Sequence, residues 1–140
     1  VNTKLAWTAN GAGGQYNVAY DVWFTNSAAG NINSPDRFLM VWLYDPSQKQ
    51  PRGNCQWSGV TIPGVPGTWN VWTDGVCISY VATSTVNSLT FDLNAFIKDA
   101  TSTHTGTISS SMYLHDIFGG FEIWSGGQGL QITDFYAVVK

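Results

Sequence analysis

Charge is what this chain has least of. Asp, Glu, Lys and Arg make up 11% of its 140 residues, about half the share usual in a soluble protein. Six Lys and Arg against nine Asp and Glu leave a net charge of −3. So few cations exclude a nucleic-acid footprint, which needs a basic stripe to displace counterions from phosphates. They also argue against anionic membranes and acidic polymers, and point to an uncharged ligand. Glutamate is scarcer still: Glu122 is the only one, and the other eight acidic residues are Asp. No apolar run approaches the roughly 18 residues of a membrane helix. Cysteines number two, Cys55 and Cys77. With loops rich in Ser, Thr, Asn and Gly, they suggest a secreted protein and a Cys55–Cys77 disulfide. Two cysteines without His neighbours make a poor zinc site. No Asp-rich loop has the spacing that would indicate a structural calcium. No cofactor is therefore expected, and metal is left undecided, with a structural calcium open but not indicated.

What the chain does have is aromatic rings: seven Trp, six Tyr and seven Phe. Seven Trp exceed what a core of this size needs, and Trp is rarely fully enclosed. Several should reach the surface, where flat rings suit the C–H faces of pyranose sugars.

Nearly every segment reads as strand. Gln15–Thr25 alternates, with Tyr16, Val18, Tyr20, Val22 and Phe24 on one face and Asn17, Ala19, Asp21, Trp23 and Thr25 on the other. Ala28–Pro35 is a loop. Arg37–Tyr44 is apolar on both faces, so something covers each. Further strands are expected near Gln56–Ile62, Thr68–Thr73, Val76–Thr83, Val86–Phe91, Ser109–His115, Ile117–Trp124 and Leu130–Val139, with a tight turn at Asp74-Gly75. Leu93, Phe96, Ile97 and Ala100 fall at helical spacing, and Asp92 offers an N-cap. About ten strands and one short helix predict a single all-β domain over residues 1–140. Its architecture should be a two-sheet antiparallel β-sandwich of jelly-roll or concanavalin type.

The stretches NVAYDVWFT (17–25), LMVWLYDP (39–46), WNVWTDG (69–75), LTFDLNAFIKDA (89–100), YLHDIFGGFEIWSG (113–126) and LQITDFYAVV (130–139) resemble glycoside hydrolase family 12 in order and spacing. That family contains endoglucanases and xyloglucanases with a concanavalin-like double sheet. The resemblance implies a retaining mechanism with two glutamates. Glu122, within GFEIW, matches the general acid/base. The nucleophile's place, directly before Leu39-Met40-Val41-Trp42, holds Phe38. Asp21 matches the aspartate that supports the nucleophile. The chain resembles the later two-thirds of the family's domain, which implies a shallower, more open cleft.

Alternation assigns faces. With Val18, Tyr20, Val22, Leu39, Val41 and Leu43 inward, the opposite face carries Asp21, Trp23, Phe38, Met40, Trp42, Asn70, Trp72, Glu122 and Trp124. Trp69 should point inward, and Trp57 should sit at the cleft edge, fixed by the disulfide. The expected ligand-binding set is Asp21, Trp23, Met40, Trp42, Trp57, Asn70, Trp72, Glu122 and Trp124. Phe38 at the nucleophile position predicts a chain that is not an enzyme. The expectation is a carbohydrate-binding module for β-1,4-linked glucans (cellulose chains, mixed-linkage β-glucan or xyloglucan), with an appended glycoside hydrolase as partner. The first alternative is a family 12-type endo-β-glucanase acting through Glu122 and an Asp. The second is a protein-interaction decoy of such a hydrolase.

Overall fold

The computed structural model describes residues 1–30 and 35–140. The loop expected at Ala28–Pro35 is thus seen only in part; positions 31–34 lie outside the described residues. Among the described residues no helix is long and apolar enough to cross a membrane.

Among the described residues, eleven strands and one helix follow one another. Strands β1 (Asn2–Thr8), β2 (Gly14–Tyr16), β3 (Val18–Thr25) and β4 (Arg37–Tyr44) lead. Strands β5 (Asn54–Val60), β6 (Trp69–Thr73), β7 (Cys77–Ala82) and β8 (Ser88–Asp92) come next. Helix α1 (Asn94–Ser102) precedes β9 (Tyr113–Gly120), β10 (Ile123–Gly126) and β11 (Gln131–Val138).

A six-stranded sheet has the order β5-β6-β7-β4-β3-β9, a three-stranded sheet the order β11-β1-β8, and β10 pairs with β2 as a ribbon. Pairing is antiparallel except between β4 and β7. The chain leaves β4, starts β5 at the far edge of the sheet, and two hairpins bring β7 back beside β4 in the same sense. The Asp74-Gly75 turn is as expected. Asp74 Oδ1 accepts from the amides of Val76 and Cys77 at 2.9 and 2.8 Å, and Gly75 takes the left-handed φ of 82°.

The sandwich forms because alternation gives the large sheet one continuous apolar face. Val18, Tyr20, Val22, Leu39, Val41, Trp69, Val71 and Tyr80 pack in one cluster with Leu5 and Trp7 of β1, Leu89 and Phe91 of β8, and Phe96 of α1. Phe96 joins helix to sheet, meeting Trp69 edge-on at 5.0 Å and Tyr80 at 4.9 Å. Asp92 caps from one position further out than expected: its Oδ1 accepts the Asn94 amide at 3.0 Å.

Three expectations change. Gln15–Thr25 is two strands, because fully buried Asn17 turns its hydrogen bonds to Glu122 and separates β2 from β3. The segment 109–124 holds the single strand β9 and the start of β10, rather than two strands meeting at residue 116. Strand β1 has no counterpart in the sequence reading, although Thr3, Leu5 and Trp7 alternate inward.

The expected disulfide is corrected. Cys55 is an exposed free thiol on β5 and Cys77 a buried one on β7. Strand β6 lies between them, and Cys55 is in register with Ser79 rather than Cys77, so they are more than two strand spacings apart, over about 9–10 Å. A disulfide needs Cα atoms within about 7 Å. Burial pushes the Cys77 thiol up to about 11, against a hydrogen bond from Ser79. Without denaturant, a maleimide should therefore label one thiol per chain, at Cys55, and reductant should leave the melting temperature unchanged. Labelling of neither thiol until reductant is added would contradict this arrangement.

Candidate functional site

The outer face of the six-stranded sheet is built in rows that cross the strands. One row runs Phe118, Asp21, Met40, Ser79, Trp72 and Cys55 from β9 to β5. On one side of it lie Gly120, Ala19, Trp42, Val81 and Asn70. On the other lie Asp116, Trp23, Phe38 and Cys77. This is the period-two consequence of the buried face: each apolar residue turned inward sends its neighbour outward.

Asp21 and Glu122 line one cavity of about 200 Å³, with Asn17, Met40 and Phe118 among its walls. Glu122 lies between β9 and β10, outside any strand, yet it is held. The Asn17 amide donates to the Glu122 carbonyl at 3.0 Å. The Glu122 amide donates to Asn17 Oδ1 at 2.9 Å. Asn17 Nδ2 donates to Glu122 Oε2. One buried amide side chain thus fixes both backbone and carboxylate, and leaves Oε1 for other work. Sequence alternation placed Asn17 on the outward face but gave no sign of this clamp.

Asp21 sits on the floor of the cavity. Burial raises its carboxyl above the ordinary value of 3.8, and the nearby Glu122 charge adds to the rise. The Trp23 indole opposes it through proximity, but its N–H falls short of hydrogen-bond geometry. Asp21 Oδ1 is likewise buried without a partner. The cavity therefore holds two unlike carboxyl groups: one clamped and open to solvent, one desolvated.

The other expected site residues separate. Met40 lines the cavity. Trp124, 41% exposed, lies 6.4 Å from Trp42. Trp42 itself is only 2% exposed and packs with Ala19, Val81, Met40 and Trp72, as a floor under the accessible ring. Trp23 is half-buried between Phe38 and Phe118. Asn70 is committed to holding β5, its Oδ1 accepting the Gly59 amide at 2.9 Å. Trp69 points inward as expected.

Trp57 is a correction. A one-residue bulge sets it opposite inward-facing Val71, and its ring lies 4.7 Å from His104, beyond the end of α1. It is on the helix side of the sheet, away from Glu122. Among the described residues no group of three or more His, Cys, Asp or Glu is placed to hold a metal ion.

Comparison with known proteins bears on this geometry. Residues 1–140 match the model of glycosyl hydrolase family 12. Endoglucanase S of Pectobacterium parmentieri is 30% identical over 92% of this chain and 51% of its own length. Probable cellulase Cel12b of Mycobacterium tuberculosis is 30% identical over 91% of this chain and 83% of its own. A metagenome-derived family 12 endoglucanase of known structure superposes with a TM-score of 0.83, at 37% identity, over 96% of this chain and 58% of that one. The chain spans between half and three-fifths of the length of several of these relatives.

These findings overturn the expectation that the chain is not an enzyme, since the matched family and relatives are hydrolases. The inference from Phe38 fails because it set one position of a family pattern against a match that runs over residues 1–140.

Two outcomes follow from the geometry. Asp21→Asn should stabilise the fold at neutral pH by about 1 kcal/mol, the scale of an unmet buried polar group. The native carboxyl titrates above 3.8, so wild-type stability is undiminished below that pH and falls as pH rises through the native value. The gain should accordingly vanish in acid, as read by melting temperature across pH. Asn17→Ala should cost about 2–3 kcal/mol in denaturant unfolding, because it removes two clamp bonds, one of them to a carboxylate.

Proposed function

Because the chain belongs to glycosyl hydrolase family 12, we propose that it cleaves β-1,4-linked glucans, with Glu122 and Asp21 as its two carboxyl groups. The single observation carrying this reading is that both line one cavity on the aromatic face of the large sheet. Glycoside hydrolysis calls for a pair of carboxyl groups flanking the scissile bond, one to protonate the leaving oxygen and one to assist attack at the anomeric carbon.

Glu122 is the proton donor. Asn17 occupies Oε2, which leaves Oε1 as the atom that hands a proton to the leaving oxygen. Asp21, ionised, accepts a proton from a water molecule as that water's oxygen bonds to the anomeric carbon. The glycosidic C–O bond breaks and its oxygen takes the Glu122 proton. Attack by water on the face opposite the leaving oxygen inverts the anomeric centre. Phe38 stands on β4 outside the cavity walls, consistent with a second carboxyl drawn from β3.

Neutral polysaccharide also fits a face with few charges and many rings. Cellulose chains, mixed-linkage β-glucan and xyloglucan are the substrates this reading names. It places the protein outside the cell, where such polymers occur.

Reducing-sugar release from barley β-glucan and xyloglucan tests the proposal. Glu122→Gln and Asp21→Asn should each lower kcat by at least about a hundredfold, the low end for a general acid or base. Activity should rise with pH as Asp21 ionises, so its acid limb lies above 3.8 and disappears in Asp21→Asn. Proton NMR of the first-formed product should show the α-anomer. Retardation by β-glucan gels with no sugar released from any glucan would overturn the hydrolase and leave a binding module. Initial formation of the β-anomer would overturn Asp21 as base.

A further inference from the structure

A second cavity lies on the helix side of the large sheet, across it from Asp21 and Glu122. It measures about 150 Å³ and is lined by Pro63, Ala95, Lys98, Asp99, Ser102 and Thr103. The α1 residues recur at helical spacing and so share one face, and Pro63 from the β5–β6 connection closes the opposite wall. Asp99 is only 7% exposed, and its two oxygens are used differently. Oδ2 accepts from the Tyr80 hydroxyl at 2.8 Å and meets His104 Nδ1 at 2.5 Å. Oδ1 makes no hydrogen bond among the described residues, yet it is not one of the sealed polar atoms, so the cavity is where it is reached. An unmet oxygen in so enclosed a carboxyl is a cost that a ligand would remove. The Ser102 hydroxyl donates to the Lys98 carbonyl at 2.6 Å, which leaves its lone pairs free. Trp57 lies over the His104 ring, centroids 4.7 Å apart, and His104 directly follows Thr103, so the indole extends the same surface.

We infer that this cavity is a second carbohydrate site, taking one pyranose unit of a neutral glucan on the side of the protein opposite the cleaving one. The choice of a glucan rests on the proposed hydrolase, while the site rests on its own donors and acceptors. Asp99 Oδ1 only accepts, so the ligand must donate there, which a carboxylate or sulfate cannot do. The Lys98 ammonium only donates, so the ligand must accept there, which a cationic amine cannot do. Sugar hydroxyls do both. Ala95 and the Pro63 ring supply apolar walls for the C–H faces of a pyranose, and Trp57 offers a flat ring to the next unit. The volume is well below the ~300–1,000 Å³ of sites for drug-sized ligands, which suits a single ring. A polymer held both here and at the carboxyl pair is bound at two points. The second encounter is then intramolecular, and the protein stays on its substrate between cleavage events.

Cellotriose titrated into the isotope-labelled Glu122→Gln chain tests this by NMR, since the ligand survives and each backbone amide reports separately. Two groups of amide shifts are expected, one around Trp124 and one over Asp99, Ser102 and Thr103. The second should saturate with a dissociation constant on the order of 1 mM, as suits one enclosed ring. Ala95→Phe, which fills the cavity, should abolish the second group and leave the first. Lys98→Met, at an exposed position, should weaken the second group about tenfold, the low end for one hydrogen bond to a charged group. Melting temperatures close to that of the parent chain verify that both variants fold. If Ala95→Phe does not fold, Lys98→Met carries the test alone, and unchanged affinity in it overturns the site. Shifts at Trp124 with none on α1 would overturn the second site and leave the hydrolase standing. So would α1 shifts that survive Ala95→Phe, or that sulfate reproduces. Shifts on α1 with none at Trp124 would overturn the proposed cleavage site instead, and no shift in either place would overturn both.

Discussion

The structure depends on strict alternation in the paired strands β3 and β4. Val18, Tyr20, Val22 and Phe24 on β3, with Leu39, Val41 and Leu43 on β4, are all buried against the opposing sheet and helix. A one-residue slip would turn that entire set to solvent. With several aliphatic and aromatic side chains at about 1.5–3 kcal/mol each, the register has no competitor. The same constraint fixes the other face. Ala19, Asp21 and Trp23 leave β3 outward because their neighbours cannot. Asp21 therefore stands on a firmly determined element, and the position of one of the cavity's two carboxyl groups is a by-product of core packing.

Glu122 reaches the same cavity by a different route. It lies outside the ladders, in a stretch where the chain passes from β9 to β10, and no alternation holds it. Fully buried Asn17 supplies the restraint, with bonds to the amide, carbonyl and carboxylate of Glu122. Asn17 is itself the break between β2 and β3. A strand interruption and a positioned carboxyl are thus one event: the amide side chain that leaves the ladder is the one that grips the loop. Few other charges lie nearby to screen or compete, which is how low charge content becomes a chemical property. In a weakly polar setting the Glu122 charge bears on Asp21 more strongly than it would in water, adding to the desolvation that raises it.

What the sequence revealed follows from this division. The sandwich, the single helix, the Asp74-Gly75 turn and the facing of β3, β4 and β6 were legible because each is a local pattern with one solution. Asp21, Met40 and Glu122 were placed together correctly. Trp57 was misplaced because a bulge in β5 between Cys55 and Trp57 resets the alternation, and no residue pattern announces it. The Cys55–Cys77 pairing failed for a related reason: parity of count carries no information about strand order, and β6 intervenes. Asn17 escaped notice because an Asn in an alternating run reads as an ordinary outward residue until its partner, 105 positions away, is in view. Strand β1 was passed over although its Thr3, Leu5 and Trp7 follow the same rule as β3.

Two aspartates on opposite faces of the large sheet show how partners separate structure from function. Asp99, buried in α1, accepts from the Tyr80 hydroxyl at 2.8 Å, and the same oxygen meets His104 Nδ1. That oxygen has two partners, and His104 in turn buttresses Trp57. Such a network is what buried polar groups in native structures ordinarily form, and it ties the helix to the sheet. Asp21 is desolvated as well, yet its Oδ1 has no partner, and neither has the Trp23 indole N–H near it. The fold surrounds Asp21 with Met40, Phe118 and a second carboxyl, keeping it destabilised at neutral pH. An unmet carboxyl maintained in this way, beside a clamped one, has a physical rationale as reactive chemistry and none as a stabilising contact.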